Sequence, residues 1–427
     1  MATVAQQHRT PRAIRNARVA PPALHIGIDA TQILFGVSGG VEVYFRTLVR
    51  ALEEGCHGCQ AVIIARPDQR ARLQSLFDKS VAVHSPASSA AGVTTRCIRR
   101  LRRAFVKSAA SESPPAPPFT FRDIERRLRL DVLHSPVQIF SDIEFDSPGV
   151  LNLHDLQHVH FPENFKPGAL EARRRLYAQS ARRASAIIAS SDFVRDDIIR
   201  HLEVPPEKVH RIPVACNPDV LAGLARFTAD DARRQYALPE TFAFYPAQFW
   251  PHKNHIRLVE ALTIVRSRAP RAEFKLVCAG CRQHSGWPAL EEALDQFGMR
   301  DHVTFLDFIP TEHLAGVYRA SLFCVMPSLF EASSYPVIEA QTLGVPAMCS
   351  DVTSLSELTT DGAGLLFDPH SAEDIAEKML RWLNDPADRQ DHARCGQRRA
   401  VRDHGLESYA ARVRDLYSAV IGRKLNA

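Results

Sequence analysis

Apolar runs of strand length recur along this chain with amphipathic helical stretches between them, and that alternation admits few folds. The first series is LHIGID (24–29), AVIIAR (61–66), DVLHS (131–135), GVLNLHD (149–155), AIIAS (186–190) and KVHRIPV (208–214). The second is FAFYPA (242–247), EFKLVCAG (273–280), VTFLDFI (303–309), LFCVMP (322–327), PAMCS (346–350) and GLLFD (364–368). Strands that are apolar throughout, each followed by a helix, build a parallel sheet covered by helices on both faces. Two series imply two such sheets. The length of 427 residues agrees, because it exceeds what one hydrophobic core usually covers.

The fold class that follows is α/β, with two Rossmann-like lobes facing a cleft. Residues 1–22 carry Arg9, Arg12, Arg15 and Arg18 among prolines, without the apolar segment of a signal peptide, and read as a disordered basic tail. Residues 23–214 form the first domain, with an insert at 85–119; 215–240 read as a linker, 241–404 as the second domain and 405–427 as a final helix. Tyr409, Val413, Leu416, Tyr417 and Val420 lie on one side of that helix, an apolar face that needs a partner, so it is expected to cross back to the first lobe.

Lys and Arg exceed Asp and Glu by 53 to 48, a net +5 that is too mild over this length to argue nucleic-acid binding. No apolar run approaches the ~20 residues of a membrane span. A cytoplasmic protein is expected, with one reservation. Inside the insert, Ile98, Leu101 and Phe105 take helical spacing opposite Arg96, Arg99, Arg100, Arg103 and Lys107. Such a helix, residues 94–108, either lies on the inner face of an anionic membrane or packs its three apolar residues on its own domain. Nine cysteines include the pairs Cys56/Cys59 and Cys278/Cys281, read as reduced thiols rather than a zinc site because the pairs fall in different halves of the chain.

The stretch with the most chemistry is LFCVMPSLFEASSYPVIEAQTLGVPAMCS, residues 322–350. Pro336 sits where a helix begins and Gly344 where it stops, giving strand, loop, short helix and strand. A loop that leaves the carboxyl end of a parallel strand and enters a helix favours anions, because unpaired N–H groups and the helix dipole converge there. Glu331 in the loop and Glu339 in the helix add two acceptors for hydroxyls, which together suit a polyhydroxylated phosphate ester. QFWPHKNH places Lys253 after another strand of the same domain, at the same sheet edge, as a cation for phosphate. In the first domain, Gly36, Gly39 and Gly40 follow the first strand without spelling GxGxxG.

In these features the chain resembles the GT-B-fold retaining glycosyltransferases of the family 4, or group 1, type. The resemblance rests on Glu331 and Glu339 spaced E-x7-E, Pro336, Gly344–Val345–Pro346, Ser354–Glu357, Gly364–Pro369 and HKN at 252–254. In the first lobe it rests on Gly39–Gly40–Val41–Glu42, LHD at 153–155 and SSDFVRDDI at 190–198, so that it runs from about residue 25 to 421. It implies transfer of a hexose, possible mannose included, from a GDP- or UDP-linked sugar to a glycan or lipid-linked acceptor in surface-polysaccharide assembly. Glu339 would hold the ribose, Lys253 the diphosphate and Glu331 the sugar hydroxyls. His154 would hydrogen-bond near sugar and phosphate, the Gly39–Gly40 backbone would approach the phosphates, and Gln248, Ser333, Ser334 and Tyr335 would contact the donor. Glu331, His154 and Lys253 are thus the expected catalytic residues. Neither metal nor cofactor is expected, in keeping with the lack of an Asp-x-Asp triplet.

Two departures from the family pattern stand out. Gln248 takes the place of a frequent Arg, removing a permanent cation from the diphosphate site, and Ala332–Ser333–Ser334–Tyr335 replaces a glycine-bearing run. They motivate an alternative reading, a relative that binds a nucleotide sugar without transferring it. Another two-lobed enzyme, a nucleotide-sugar epimerase, is a third; a dinucleotide oxidoreductase is disfavoured by the missing GxGxxG.

Overall fold

A computed structural model of the protein describes residues 24–36, 39–54, 59–77, 82–84 and 121–425. The basic tail at 1–22 and the amphipathic segment 94–108 lie outside the described residues. The first lobe is built on seven parallel strands: β1 (Leu24–Asp29), β2 (Cys59–Ile64), β3 (Ala82–His84), β4 (Val132–Ser135), β5 (Gly149–Asn152), β6 (Ala186–Ala189) and β7 (Val209–Arg211). Their spatial order is β3-β2-β1-β4-β5-β6-β7. The second lobe has six: β8 (Thr241–Pro246), β9 (Phe274–Ala279), β10 (Val303–Leu306), β11 (Phe323–Met326), β12 (Ala347–Ser350) and β13 (Leu365–Phe367), ordered β10-β9-β8-β11-β12-β13. The central strands are sealed on both faces; Phe242, Phe244 and Tyr245 of β8 are all 0% exposed.

Strand order decides where a ligand can bind. In each sheet the first strand in sequence runs beside its successor on one side and beside a later strand on the other, so the connections diverge there. The divergence opens a crevice at the strands' carboxyl ends, between β1 and β4 in the first lobe and between β8 and β11 in the second.

Three sequence expectations change. Strand β3 was not foreseen, because it is a three-residue edge strand next to the insert. The segment read as a linker is largely part of the second lobe: helices Pro218–Gly223 and Ala229–Tyr236 pack on helix Thr311–Ala320, with buried Val220, Phe227 and Ala232, and Phe227 stacked on His313 at 3.9 Å. Six described cysteines are free thiols, whereas Cys59 is disulfide-bonded.

The final helix, Leu406–Leu425, crosses back to the first lobe as its apolar face required. It packs on helix Gly40–Glu54, where the Tyr409 hydroxyl donates to that of Tyr44 at 2.7 Å, and the Tyr417 hydroxyl lies 2.5 Å from Nδ1 of His134. Tyr44 in turn donates to Asn152, which also bonds His134, so buried hydroxyls that would be costly alone are partnered in one network. The chain therefore passes between lobes twice, and the two passages are tied together. The Cys216 amide donates to the His404 carbonyl at 2.9 Å, and His404 Nδ1 donates to the Val214 carbonyl at 2.7 Å. No described helix is long and apolar enough to cross a membrane.

The lobes also meet across the cleft. Helix Asp192–Leu202 of the first lobe begins with Ser191 capping the Val194 amide, while Glu357 of the second lobe accepts from the Asp192 and Phe193 amides at 3.0 and 2.7 Å. One lobe thus caps a helix of the other. Glu357→Ala is expected to leave two helix-terminal N–H groups without a partner, costing about 1–2 kcal/mol and loosening closure. Small-angle scattering should show a larger radius of gyration for the variant together with a lower melting temperature; unchanged values would remove this role.

Candidate active site

The second lobe brings two expected residues into direct contact. Lys253 ends a short 3-10 turn, Pro251–Lys253, after β8, and Glu331 follows β11; because these strands are neighbours, the two loops flank one crevice. Lys253 Nζ lies 2.5 Å from Glu331 Oε1, with both side chains largely buried. The turn is held from several sides. The Tyr245 hydroxyl donates to the Lys253 carbonyl, the Leu329 amide donates to the His252 carbonyl, and Asn254 donates through Nδ2 to the carbonyls of Pro327 and Pro369. Asn254 takes a left-handed conformation, φ 60°, which Asn tolerates and which turns the chain into helix His255–Arg268. Burial, with Lys253 beside it, lowers the pKa of His252 to about 4, so that ring is neutral at pH 7.

The Glu331 loop is anchored below by Ser354, whose hydroxyl donates to the Glu331 carbonyl at 2.8 Å, and above by the first lobe. Ser190 and Ser191 donate to the Ala332 carbonyl, and Phe330 inserts among His160, Phe161 and Phe193. Ser333 lines a small enclosed pocket between the lobes with Ser190, Ser191, Ser354 and Glu357. The substituted run Ala332–Tyr335 therefore serves as contact between lobes.

Helix Tyr335–Thr342 opens directly behind that loop and closes at Gly344, whose φ of +74° suits glycine. No side chain caps its start, Pro336 lies in its first turn, and the Ser334 Oγ and Tyr335 hydroxyl are buried without a partner. Buried hydroxyls are normally satisfied, so these two, beside an uncapped helix start, are candidate contacts for a polar ligand. Glu339 sits one turn in, buried, and accepts from the Tyr318 hydroxyl at 2.9 Å with Asn217 as second partner. Burial raises its pKa to about 7, and the bonds from Tyr318 and Asn217 offset only part of that.

Across the cleft, Gly40 faces Tyr335: a Cβ on Gly40 would stand 4.0 Å from the Tyr335 ring, and Gly39, at φ +51°, has open space around it. Glu42 closes the preceding loop by accepting from the Gly36 amide at 2.5 Å. His154 follows β5, with its ring 4.9 Å from that of Tyr44. Its Nε2 donates to the Pro136 carbonyl at 2.9 Å, which leaves Nδ1 as acceptor. Burial lowers its pKa, favouring this neutral form.

Gln248 follows β8 and is exposed at this sheet edge. Its Oε1 accepts from the Cys281 amide at 2.7 Å, tying it to the turn after β9. Tyr318, Asn217 and Tyr44 were not singled out from the sequence. Tyr44 carried a signal, since a tyrosine on the buried face of a helix needs a partner for its hydroxyl.

Comparison with known proteins agrees with this architecture. The family model for glycosyl transferases group 1 matches residues 228–399, and that for glycosyltransferase family 4 matches residues 38–220. O-antigen chain mannosyltransferase B of Escherichia coli is 28% identical over 243 residues, covering 56% of this chain and 62% of that protein. The alpha-D-kanosaminyltransferase of Streptomyces kanamyceticus is 24% identical and is covered over 53% of its length, so the chain spans little more than half of these two relatives. D-inositol 3-phosphate glycosyltransferase of Pseudarthrobacter chlorophenolicus aligns over 95% of this chain and 96% of its own length at 27% identity. Among solved structures, sucrose-phosphate synthase of Thermosynechococcus elongatus superposes with a TM-score of 0.70 at 20% identity, over 94% of this chain and all of that one. Anabaena HepE in complex with UDP and glucose superposes at 0.69 with 16% identity, over 93% of this chain and all of that one. With one family model on each lobe and this fold throughout, the chain belongs to the group 1, family 4 glycosyltransferases of GT-B architecture.

Proposed function

We propose that the protein transfers a hexose from a nucleoside-diphosphate sugar, GDP- or UDP-linked, to a glycan or lipid-linked acceptor, with retention at the anomeric carbon and without a catalytic metal. The observation that carries this reading is the uncapped start of helix Tyr335–Thr342, with its orphan hydroxyls, beside the Lys253–Glu331 pair. The relatives support its finer parts: a mannosyltransferase of O-antigen chains for polysaccharide assembly, and the HepE complex with UDP and glucose for a nucleotide donor.

The roles follow from chemistry. Breaking the bond between anomeric carbon and phosphate develops negative charge on the leaving diphosphate and positive charge on the sugar ring. Lys253 and the free N–H groups at the helix start stabilise the first. Without donor, Lys253 is neutralised by Glu331; a bound diphosphate would draw the lysine away and free Glu331 to accept from sugar hydroxyls. Glu339 accepts from the ribose, Ser333, Ser334 and Tyr335 line the donor, and the Gly39–Gly40 backbone approaches the phosphates from the first lobe. His154, neutral, offers Nδ1 to a sugar hydroxyl. The departing phosphate takes the acceptor's proton, so no protein general base is assigned. Lobe closure excludes water and limits donor hydrolysis.

A thermal-shift screen of UDP-, GDP- and ADP-sugars tests the donor. One base should raise the melting temperature in a saturable way, since ligand at 100 times its Kd stabilises by about 2.7 kcal/mol, and the same donor should be turned over with acceptor. No shift with any nucleotide sugar would overturn the proposal, and a shift without transfer across a broad acceptor panel would favour a non-catalytic binder.

A further inference from the structure

We propose that His160, Asp197 and His201 form a binding site for one divalent cation of the zinc type, on the first lobe and apart from the transfer chemistry. Asp197 and His201 are four residues apart on helix Asp192–Leu202, which puts them one turn above each other on one face. His160 ends the separate short helix Gln157–His160 and reaches the same point. Its Nε2 lies 2.9 Å from each Asp197 oxygen, His201 Nε2 lies 3.3 Å from Oδ1, and the ligand atoms are all within 4.8 Å of one another. A tetrahedral zinc ion with bonds of about 2.0–2.1 Å holds its ligands roughly 3.3 Å apart, so small rotations of the two rings would seat the ion. Among the described residues no other trio of His, Cys, Asp or Glu converges in this way.

The surroundings fit such an ion. Two imidazole nitrogens and a carboxylate are the donor set that zinc accepts, with a fourth position left for water. Asp197 is buried, and among the described residues its ion-pair partners are these two imidazoles, without Lys or Arg. The histidine side chains are about a third exposed, 31% and 32%, which leaves a path for entry. The rings of Phe193 and Phe330 stand 6.0 and 5.3 Å from that of His160. Because Phe330 precedes Glu331, an ion here clips the 157–160 turn to helix Asp192–Leu202 at the point where the first lobe grips the donor loop. The role is structural, since the site reaches no reacting atom.

The test is a titration of chelator-treated full-length protein with cobalt(II), read by visible absorption, with zinc competition. The expected result is one equivalent bound with a tetrahedral spectrum, displaced by zinc, and a higher melting temperature in zinc. His201→Ala and His160→Ala, two separate variants at partly exposed positions, should each weaken binding at least tenfold while keeping the wild-type circular dichroism. His370→Ala, an exposed histidine of the second lobe, should titrate like wild type. Absence of saturable cobalt binding, or binding unchanged in both His201→Ala and His160→Ala, would overturn the site.

Discussion

Lys253→Ala is expected to lower kcat for sugar transfer by about 10²–10³-fold, the loss typical when one donor to a developing oxyanion is removed. The effect should fall on kcat more than on KM, because the charge that Lys253 meets grows as the sugar leaves. The ion pair makes a second measurement informative. Removing the lysine also leaves Glu331 largely buried without its partner at 2.5 Å, beside the proposed diphosphate site. Lys253→Ala with Glu331→Gln should therefore cost less than the sum of the single changes, since residues that share a partner do not add. Equal kcat in wild type and Lys253→Ala would remove the lysine from the mechanism.

Glu339→Gln is expected to separate stability from function. Burial holds the folded-state pKa of Glu339 at about 7 against 4.5 for the free group, so between these values the folded protein binds more protons than the unfolded chain. Stability therefore falls as pH rises through that window, and the ionised carboxylate costs of order 3 kcal/mol at most above it. Glutamine keeps an oxygen for the Tyr318 hydroxyl and carries no charge. The variant should melt above wild type at pH 8, and the difference should close towards pH 4.5. Its nucleotide affinity should fall about 10- to 100-fold, the worth of hydrogen bonds from ribose hydroxyls to a charged acceptor. Parallel melting curves against pH for the two proteins would refute the buried-charge account.

Much of this was legible in the sequence because the determining patterns are local. Strand runs such as FAFYP and LFCVM are apolar throughout, and Pro336 and Gly344 bracket their helix as punctuation rules require. Lys253 and Glu331 could be assigned to one sheet edge for the same reason. Their contact could not, since it depends on β8 lying next to β11, a matter of strand order. The bond from the Cys281 amide to Gln248 escaped for the same reason, since it joins the turns after the neighbouring strands β8 and β9. The 218–236 segment reads as a linker because its helices are short and charged, and its ties to the second lobe, such as Phe227 stacked on His313, are contacts distant in sequence. The grip of Ser190 and Ser191 on the Ala332 carbonyl involves a main-chain oxygen, which no side-chain pattern announces.

The crossing helix sets a rule for exchanging parts between relatives. By packing, the first lobe owns the last described helix as well as the strands from Leu24 onward: its core contains Tyr44 and His134 together with Tyr409 and Tyr417. A chimera made to change donor choice by a single splice near residue 215 would import a foreign last helix and leave Tyr44 and His134 facing unmatched partners. A graft with two junctions, one at Cys216 and one at His404, cuts where the passages already lie hydrogen-bonded side by side. The second lobe is thus an insertion into the first, and residues 217–403 are the unit to exchange, provided that the graft keeps the contacts of Ala332 and Glu357 with the first lobe.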